Sequence, residues 1–160
     1  MKPLIGLAVF IVIADQASKA LVKATLSLYS SVTVVPGFVN FTYVRNTGAA
    51  FGVLNAADFP GKAAVIAVIA IMALVGVGLY AATLSPHQRV ARIGLALILG
   101  GAAGNLIDRV ATGSVIDFVD VYVRGWHFWA FNVADSAITV GVAVMIFDML
   151  RVASHVSKAA

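Results

Sequence analysis

The 160-residue chain contains no cysteine, which excludes disulfides, thiolate nucleophiles, zinc-thiolate clusters and lipidation of the chain itself. Glutamate is also missing, so all seven acids are aspartates, at positions 15, 58, 108, 117, 120, 135 and 148. Charge of either sign is scarce, at 11% of residues, and the eleven Lys and Arg side chains are scattered singly. A nucleic-acid surface needs cationic runs or cations interleaved with aromatics, so the pI near 9.7 does not point to nucleic acid as a partner. His87, His127 and His155 form no HxxxH or HExxH pair, so neither a metal nor another cofactor is expected.

What the chain has instead is apolar length. Hydrophobic residues make up 61% of it, with a mean hydropathy of +0.99, the profile of an integral membrane protein. Four apolar segments, at 4–25, 62–84, 91–107 and 133–151, approach the about 20 residues that a transmembrane helix needs. The stretch from Ala63 to Ala82 holds no charge at all. The first segment begins like a signal peptide, but its apolar pattern runs past Asp15 to Val22 and further spans follow, so it reads as a retained helix. Four spans put both termini on one side of the membrane and the connections 26–61 and 108–132 on the other. Lys and Arg are nearly balanced between the two sides. The short Ser85–Arg92 loop carries two arginines, whereas Lys19 and Arg109 stand beside acids, which favours cytoplasmic termini.

Between the first two spans, SVTVVPGFVNFTYVRNTGAAFG is rich in β-branched and aromatic residues and is cut by Pro36-Gly37, Asn46, Gly48 and Gly52. It predicts a small β-ribbon at the membrane surface, within about 31–58, which the run VIDFVDVYV at 115–123 can join as a further strand. The expected architecture is a single domain over 1–160: a membrane all-α bundle of four transmembrane helices with a small extracytoplasmic β-cradle.

The polar residues inside this apolar frame are the candidates for chemistry. Asp15 and Lys19 are four apart on a helix and can pair, either as a structural ion pair or as functional groups. Gly100, Gly101 and Gly104 form a GxxxG-like face suited to close helix packing. Asn105 follows in a helix that should be apolar, and its amide needs partners. Asp108-Arg109 reads most simply as a charge pair at a helix end. Asp117 is embedded in Val115, Ile116, Phe118 and Val119, where an unpaired carboxylate is costly, while Asp120 reads as a solvated bystander. Asp135 opens the fourth span and can either cap that helix or take part in catalysis. Parity places Asn46, Asn105, Asp108, Asp117 and Asp135 at one membrane face, where Asp117 and Asp135 can meet. Two carboxylates sharing a partly desolvated site hold one proton between them, the state that acid-base hydrolysis uses. A rhomboid-like GxSG turn and a presenilin-like GxGD are absent, and the adjacent Ser18-Lys19 and Ser157-Lys158 diverge on a helix. The remaining alternatives are a proton relay, disfavoured because the second span has no acid, and a non-catalytic helper using the glycine face. Trp126, Phe128 and Trp129 suit an interfacial belt or a lid over substrate.

Five motifs together resemble one family: Asp15-Gln16 with Lys19, NTGAAFG at 46–52, GGAAGNLIDR at 100–109, GSVIDF at 113–118 and FNVADS at 131–136. The chain is similar to the bacterial lipoprotein signal peptidases, signal peptidase II, which are intramembrane aspartyl endopeptidases. The resemblance implies that Asp117 and Asp135 are the catalytic pair. It places Asn46, Gly48, Asn105, Asp108, Arg109 and Asn132 at the substrate site, with Asp15, Lys19, Gly101 and Gly104 in support. It implies a diacylglyceryl-modified prolipoprotein as substrate, cut on the amino side of the lipidated cysteine, with membrane lipid as surroundings and globomycin-type compounds as inhibitors. A monomer is expected, in the bacterial inner membrane, with the active site near the extracytoplasmic face.

Overall fold

A computed structural model describes residues 2–48, 57 and 59–159 of the chain, with side chains for 4–48, 57 and 59–151. The elements run α1 (Lys2–Thr25), β1 (Ser31–Val35), β2 (Val39–Asn46), α2 (Lys62–Thr83), α3 (Arg89–Thr112), β3 (Val115–Val123), β4 (Trp126–His127) and α4 (Val133–Ala159). Four of the described helices are long and apolar enough to cross a membrane. They alternate in direction, and α3 is central: 44% of its most apolar stretch is buried, against 6% for α2. The apolar side chains of the other helices turn outward, including Phe10, Leu79 and Phe147, because the surrounding lipid is as good a solvent for them as a protein core.

Glycine sets how closely the helices approach α3. A Cβ on Gly101 would collide with the Ala134 carbonyl oxygen of α4 and stand 2.8 Å from Ile138 Cγ1. On Gly100 it would meet Ala8 O of α1 at 2.8 Å, and on Gly104 Asp15 Oδ2 at 2.6 Å. The expected small-residue face is therefore a double one, since neighbouring positions on a helix point about 100° apart. Gly94 and Gly141 make a further crossing in which the backbones of α3 and α4 touch.

The strands form one antiparallel sheet in the order β1-β2-β3-β4. Pro36 and Gly37 (φ 82°) occupy the two central positions of the β1-β2 turn, closed by Phe38 N donating to Val35 O at 3.0 Å, as a type II turn requires. β3 does pair with β2. β4 is an addition to the expected elements: Arg124 (φ 51°) and Gly125 (φ 82°) both take positive φ and close a tight hairpin. Of the expected cradle and the NTGAAFG motif, residues 49–56 and 58 lie outside the described residues.

The third span is longer than expected, reaching Thr112 rather than 107. Its end is set by Gly113 (φ 73°), whose N–H returns to Arg109 O at 2.9 Å. Asp108 and Arg109 do not end the helix, and they do not pair with each other, because both find partners inside the protein. Lys19, only 2% exposed, donates to Asp15 Oδ2 at 2.7 Å and Asn105 Oδ1 at 3.0 Å, and lies 3.0 Å from Asp108 Oδ2. The ammonium thus has two hydrogen-bond acceptors and a second carboxylate in ion-pair contact. The carboxylates extend the network. Asp15 Oδ1 accepts the Ala134 N–H at the start of α4, Asp108 Oδ2 accepts the Ile116 N–H of β3, and Gln16 Nε2 donates to Asp15, Asp108 and the Gly104 carbonyl.

Two measurements of thermal unfolding in detergent check this packing. Gly101→Val forces α3 and α4 apart and is expected to cost about 1–3 kcal/mol or more, as overpacking does. Lys19→Met leaves two carboxylates buried without their cation, at a cost of about 3–5 kcal/mol, whereas Lys23→Met on the exposed face of α1 should stay within about 0.5 kcal/mol.

Candidate active site

A strand's two-residue period sorts β3 into two faces. Ile116 and Phe118 point inward and form a core cluster with Val22 of α1, while Val115 and Asp117 face a cleft. This explains an acid embedded in an apolar run: its neighbours hold the strand in place and expose only the carboxyl. Asn46 at the end of β2 donates to Asp117 Oδ2 at 3.1 Å, and Asn132 Nδ2 donates to Oδ1 at 2.7 Å. Burial pushes the Asp117 carboxyl up to about 7, and the facing charge of Asp135 adds to the effect, against the opposing pull of the two amides and Lys19.

Asp135 reaches the same cleft from the first turn of α4. Its Oδ2 accepts the Asn132 N–H at 3.3 Å, while Asn132 Oδ1 accepts the Asp135 N–H at 2.9 Å, a reciprocal capping box. Its Oδ1 accepts Asn105 Nδ2 at 2.7 Å. One oxygen therefore caps the helix and the other is held toward the cleft, so capping does not exclude chemistry at this residue.

Asn132 is fully buried. Beyond capping α4, its Nδ2 reaches Asn105 Oδ1 at 3.2 Å and Ile116 O at 3.2 Å as well as Asp117, so it joins both acids to the Lys19 network. It supports the cleft from behind and does not line it. Gly48 is also buried: its N–H donates to Asn46 Oδ1 at 2.9 Å, orienting that amide, and its carbonyl accepts Arg109 Nη2 at 3.2 Å. Asn46, Asn105 and Arg109 line the cleft, whereas Asp15, Lys19 and Asp108 stand behind it. Asp120 is away from the cleft, holding Asn40 Nδ2 at 3.0 Å and His127 Nδ1 at 2.9 Å. Among the described residues no cluster of three or more His, Cys, Asp or Glu side chains could hold a metal ion.

Two contributors were not assigned a role from sequence. Gln16 links three acceptors, and its signals were its place beside Asp15 in the first motif and its polarity in an apolar span. Arg45 lines the cleft with a buried Nε that has no hydrogen-bond partner, and a single arginine in a β-run carries no such signal.

The cleft has a volume of about 730 Å³. Beside the two acids its walls are apolar, with Phe128, Trp129 and Phe131 on one flank and Ile138 and Val140 continuing down α4. Val140 is 53% exposed on the bundle surface, so the cleft opens sideways, toward where lipid would lie. Two side-chain carboxyls thus face a space that is polar at its head and apolar along its length.

Comparison with known proteins agrees over nearly the whole chain. Residues 7–151 match the family described as Signal peptidase (SPase) II. The lipoprotein signal peptidase of Geobacter metallireducens is 48% identical over 144 residues, covering 90% of this chain and 88% of the relative. That of Symbiobacterium thermophilum is 41% identical over 148 residues, covering 92% and 94%. Two bacterial membrane enzyme structures, determined by the in meso method at 2.3 Å and 1.9 Å resolution, superpose with TM-scores of 0.86 and 0.84. They are 36% and 34% identical to this chain, covering 97% and 94% of it and 92% and 94% of their own chains. With sequence, helix arrangement and sheet all in agreement, the chain belongs to the signal peptidase II family of membrane peptidases.

Proposed function

We propose that this protein removes signal peptides from diacylglyceryl-modified prolipoproteins, cutting on the amino side of the lipidated cysteine, with Asp117 and Asp135 as a water-activating pair. The observation that carries this reading is the convergence of the two carboxyls on one cleft whose apolar wall descends along α4. Such a space suits a peptide joined to acyl chains: the peptide at the polar head, the lipid along Ile138 and Val140. The relatives' name, lipoprotein signal peptidase, supports the same substrate class.

In the proposed reaction the ionised member of the pair takes a proton from water as its oxygen attacks the scissile carbonyl carbon. The protonated member donates a hydrogen bond to the carbonyl oxygen as negative charge develops there. Collapse of the tetrahedral intermediate breaks the C–N bond, and the pair delivers a proton to the departing amine. Asn46 and Asn105 hold the acids from the cleft side, Asn132 and Gly48 fix those amides, and Arg109 adds a positive charge at the rim. The Asp15-Lys19-Asp108 network, with Gly101 and Gly104, keeps α1, α3 and α4 close enough for these bonds. Globomycin-type inhibitors would occupy the same cleft. We place the protein as a monomer in the bacterial inner membrane, with its termini and the arginine-bearing α2-α3 loop cytoplasmic and the cleft near the extracytoplasmic face.

Asp117→Asn and Asp135→Asn should each lower cleavage of a diacylglyceryl prolipoprotein by about 10²–10⁴-fold, the usual contribution of a general acid or base. A melting temperature no lower than that of the wild type would show that the loss is chemical, and near wild-type processing by either variant would sink the assignment. The pH dependence is a separate check. Because Asp117 titrates near 7, kcat/KM should fall above about pH 7 as the shared proton leaves. The folded protein holds at Asp117 a proton that the unfolded chain releases near 3.8, so stability should decline as pH rises from 3.8 to about 7 and then level off. Thermal melts across that range should show a steeper slope in the wild type than in Asp117→Asn.

A further inference from the structure

At the opposite end of the bundle, α1, α2 and α3 line a second, half-open cavity of about 270 Å³. Its walls are aliphatic or bare, including Leu4 and Ile5 of α1, Gly78 and Ala82 of α2, and Leu95 and Leu99 of α3. Among the described residues Arg92 is the one charged side chain that lines it. Along α3, Arg92 lies about 24 Å from Asp108 at 1.5 Å per residue, so this space is separate from the cleft.

Three features describe its occupant. First, Arg92 makes no side-chain hydrogen bond or ion pair among the described residues, and the first turn of α3 contains no acid. A half-buried guanidinium in an apolar cavity, with no carboxylate provided, calls for an external anion. Second, the neighbouring helix terminus is open. Gln88 at its N-cap gives no side-chain cap and instead accepts the Ser85 N–H at 2.8 Å, so the field of the helix adds to the positive charge. Third, a Cβ on Gly78 would meet nothing within 4 Å, so the protein itself does not fill the space beside α2. Water is a poor occupant of an apolar cavity. An anion held at the rim with a hydrocarbon tail in the cavity meets all three conditions.

We propose that this cavity binds an anionic phospholipid, with its phosphate on Arg92 at the start of α3 and an acyl chain between α1 and α2. The purified full-length protein, titrated with dioleoyl phosphatidylglycerol or dioleoyl phosphatidylcholine and read by native mass spectrometry, tests this. The wild type should retain the anionic lipid at least about fivefold better, the effect of one cation beside a headgroup whose phosphate is not balanced by a choline ammonium. Arg92→Gln should abolish that preference. Arg89→Gln, which removes an equal charge at an exposed position outside the cavity, should keep it. Gly78→Leu, which fills the space, should weaken retention of both lipids. Equal retention of the two lipids by the wild type, or a preference that survives Arg92→Gln, would overturn the proposal. Peptidase activity should be unchanged in Arg92→Gln, so the outcome is independent of the cleft chemistry.

Discussion

The ammonium group of Lys19 is the point on which the rest of the structure depends. A lysine in the apolar interior of a helix bundle is tolerable only if its charge is paired and hydrogen-bonded, and here the two carboxylates and the amide oxygen around it come from α1 and α3. The carboxylates that satisfy it then have lone pairs to spare. Asp15 uses one on the first turn of α4, and Asp108 uses one on the backbone of β3. A single buried charge thereby fixes the relative positions of three helices and the strand that carries Asp117. The glycines of α3 make this geometry possible, since a side chain at Gly104 would occupy the position of the Asp15 carboxylate.

The acids divide into two kinds by the partners they are given. Asp15 and Asp108 are paired with a cation and held by N–H donors, which makes them scaffolding. Asp117 and Asp135 are held by neutral amides from Asn46, Asn105 and Asn132. An amide orients a carboxyl without neutralising it, so the mutual repulsion of the pair remains to act on their protons. This contrast gives the recurrent asparagines a physical purpose: a lysine in place of any of them would lock its acid in the charged state.

Much of this was readable because it rests on local properties. Hydropathy and length located the four spans, and Pro36-Gly37 marked the hairpin turn through its backbone preferences. Asp117 stood out because its neighbours contradict it. What was missed depended on distant partners. Asp108 and Arg109 look like a pair ending a helix until Lys19 and Gly48, 89 and 61 residues away in sequence, are brought to them. The strand at Trp126–His127 was hidden because Arg124-Gly125 is a weaker turn signal than Asn-Gly, and Asn132, a residue type favoured at N-caps, was assigned to the substrate site and not to the cap of α4.

The sequence by itself determined the solvent, the number of crossings, the strand pattern and the short list of polar groups that an apolar interior must explain. Each follows from the free energy of placing a residue type in hydrocarbon, which needs no knowledge of the fold. Beyond the Asp15-Lys19 pair, legible from its spacing, only the tertiary structure decided which acid received a cation and which received amides, because that assignment depends on helix separations set by glycine contacts and on the register of β3 against β2. Composition supplies charges, but whether a charge serves as scaffold or remains free to exchange a proton is decided by what stands about 3 Å from it.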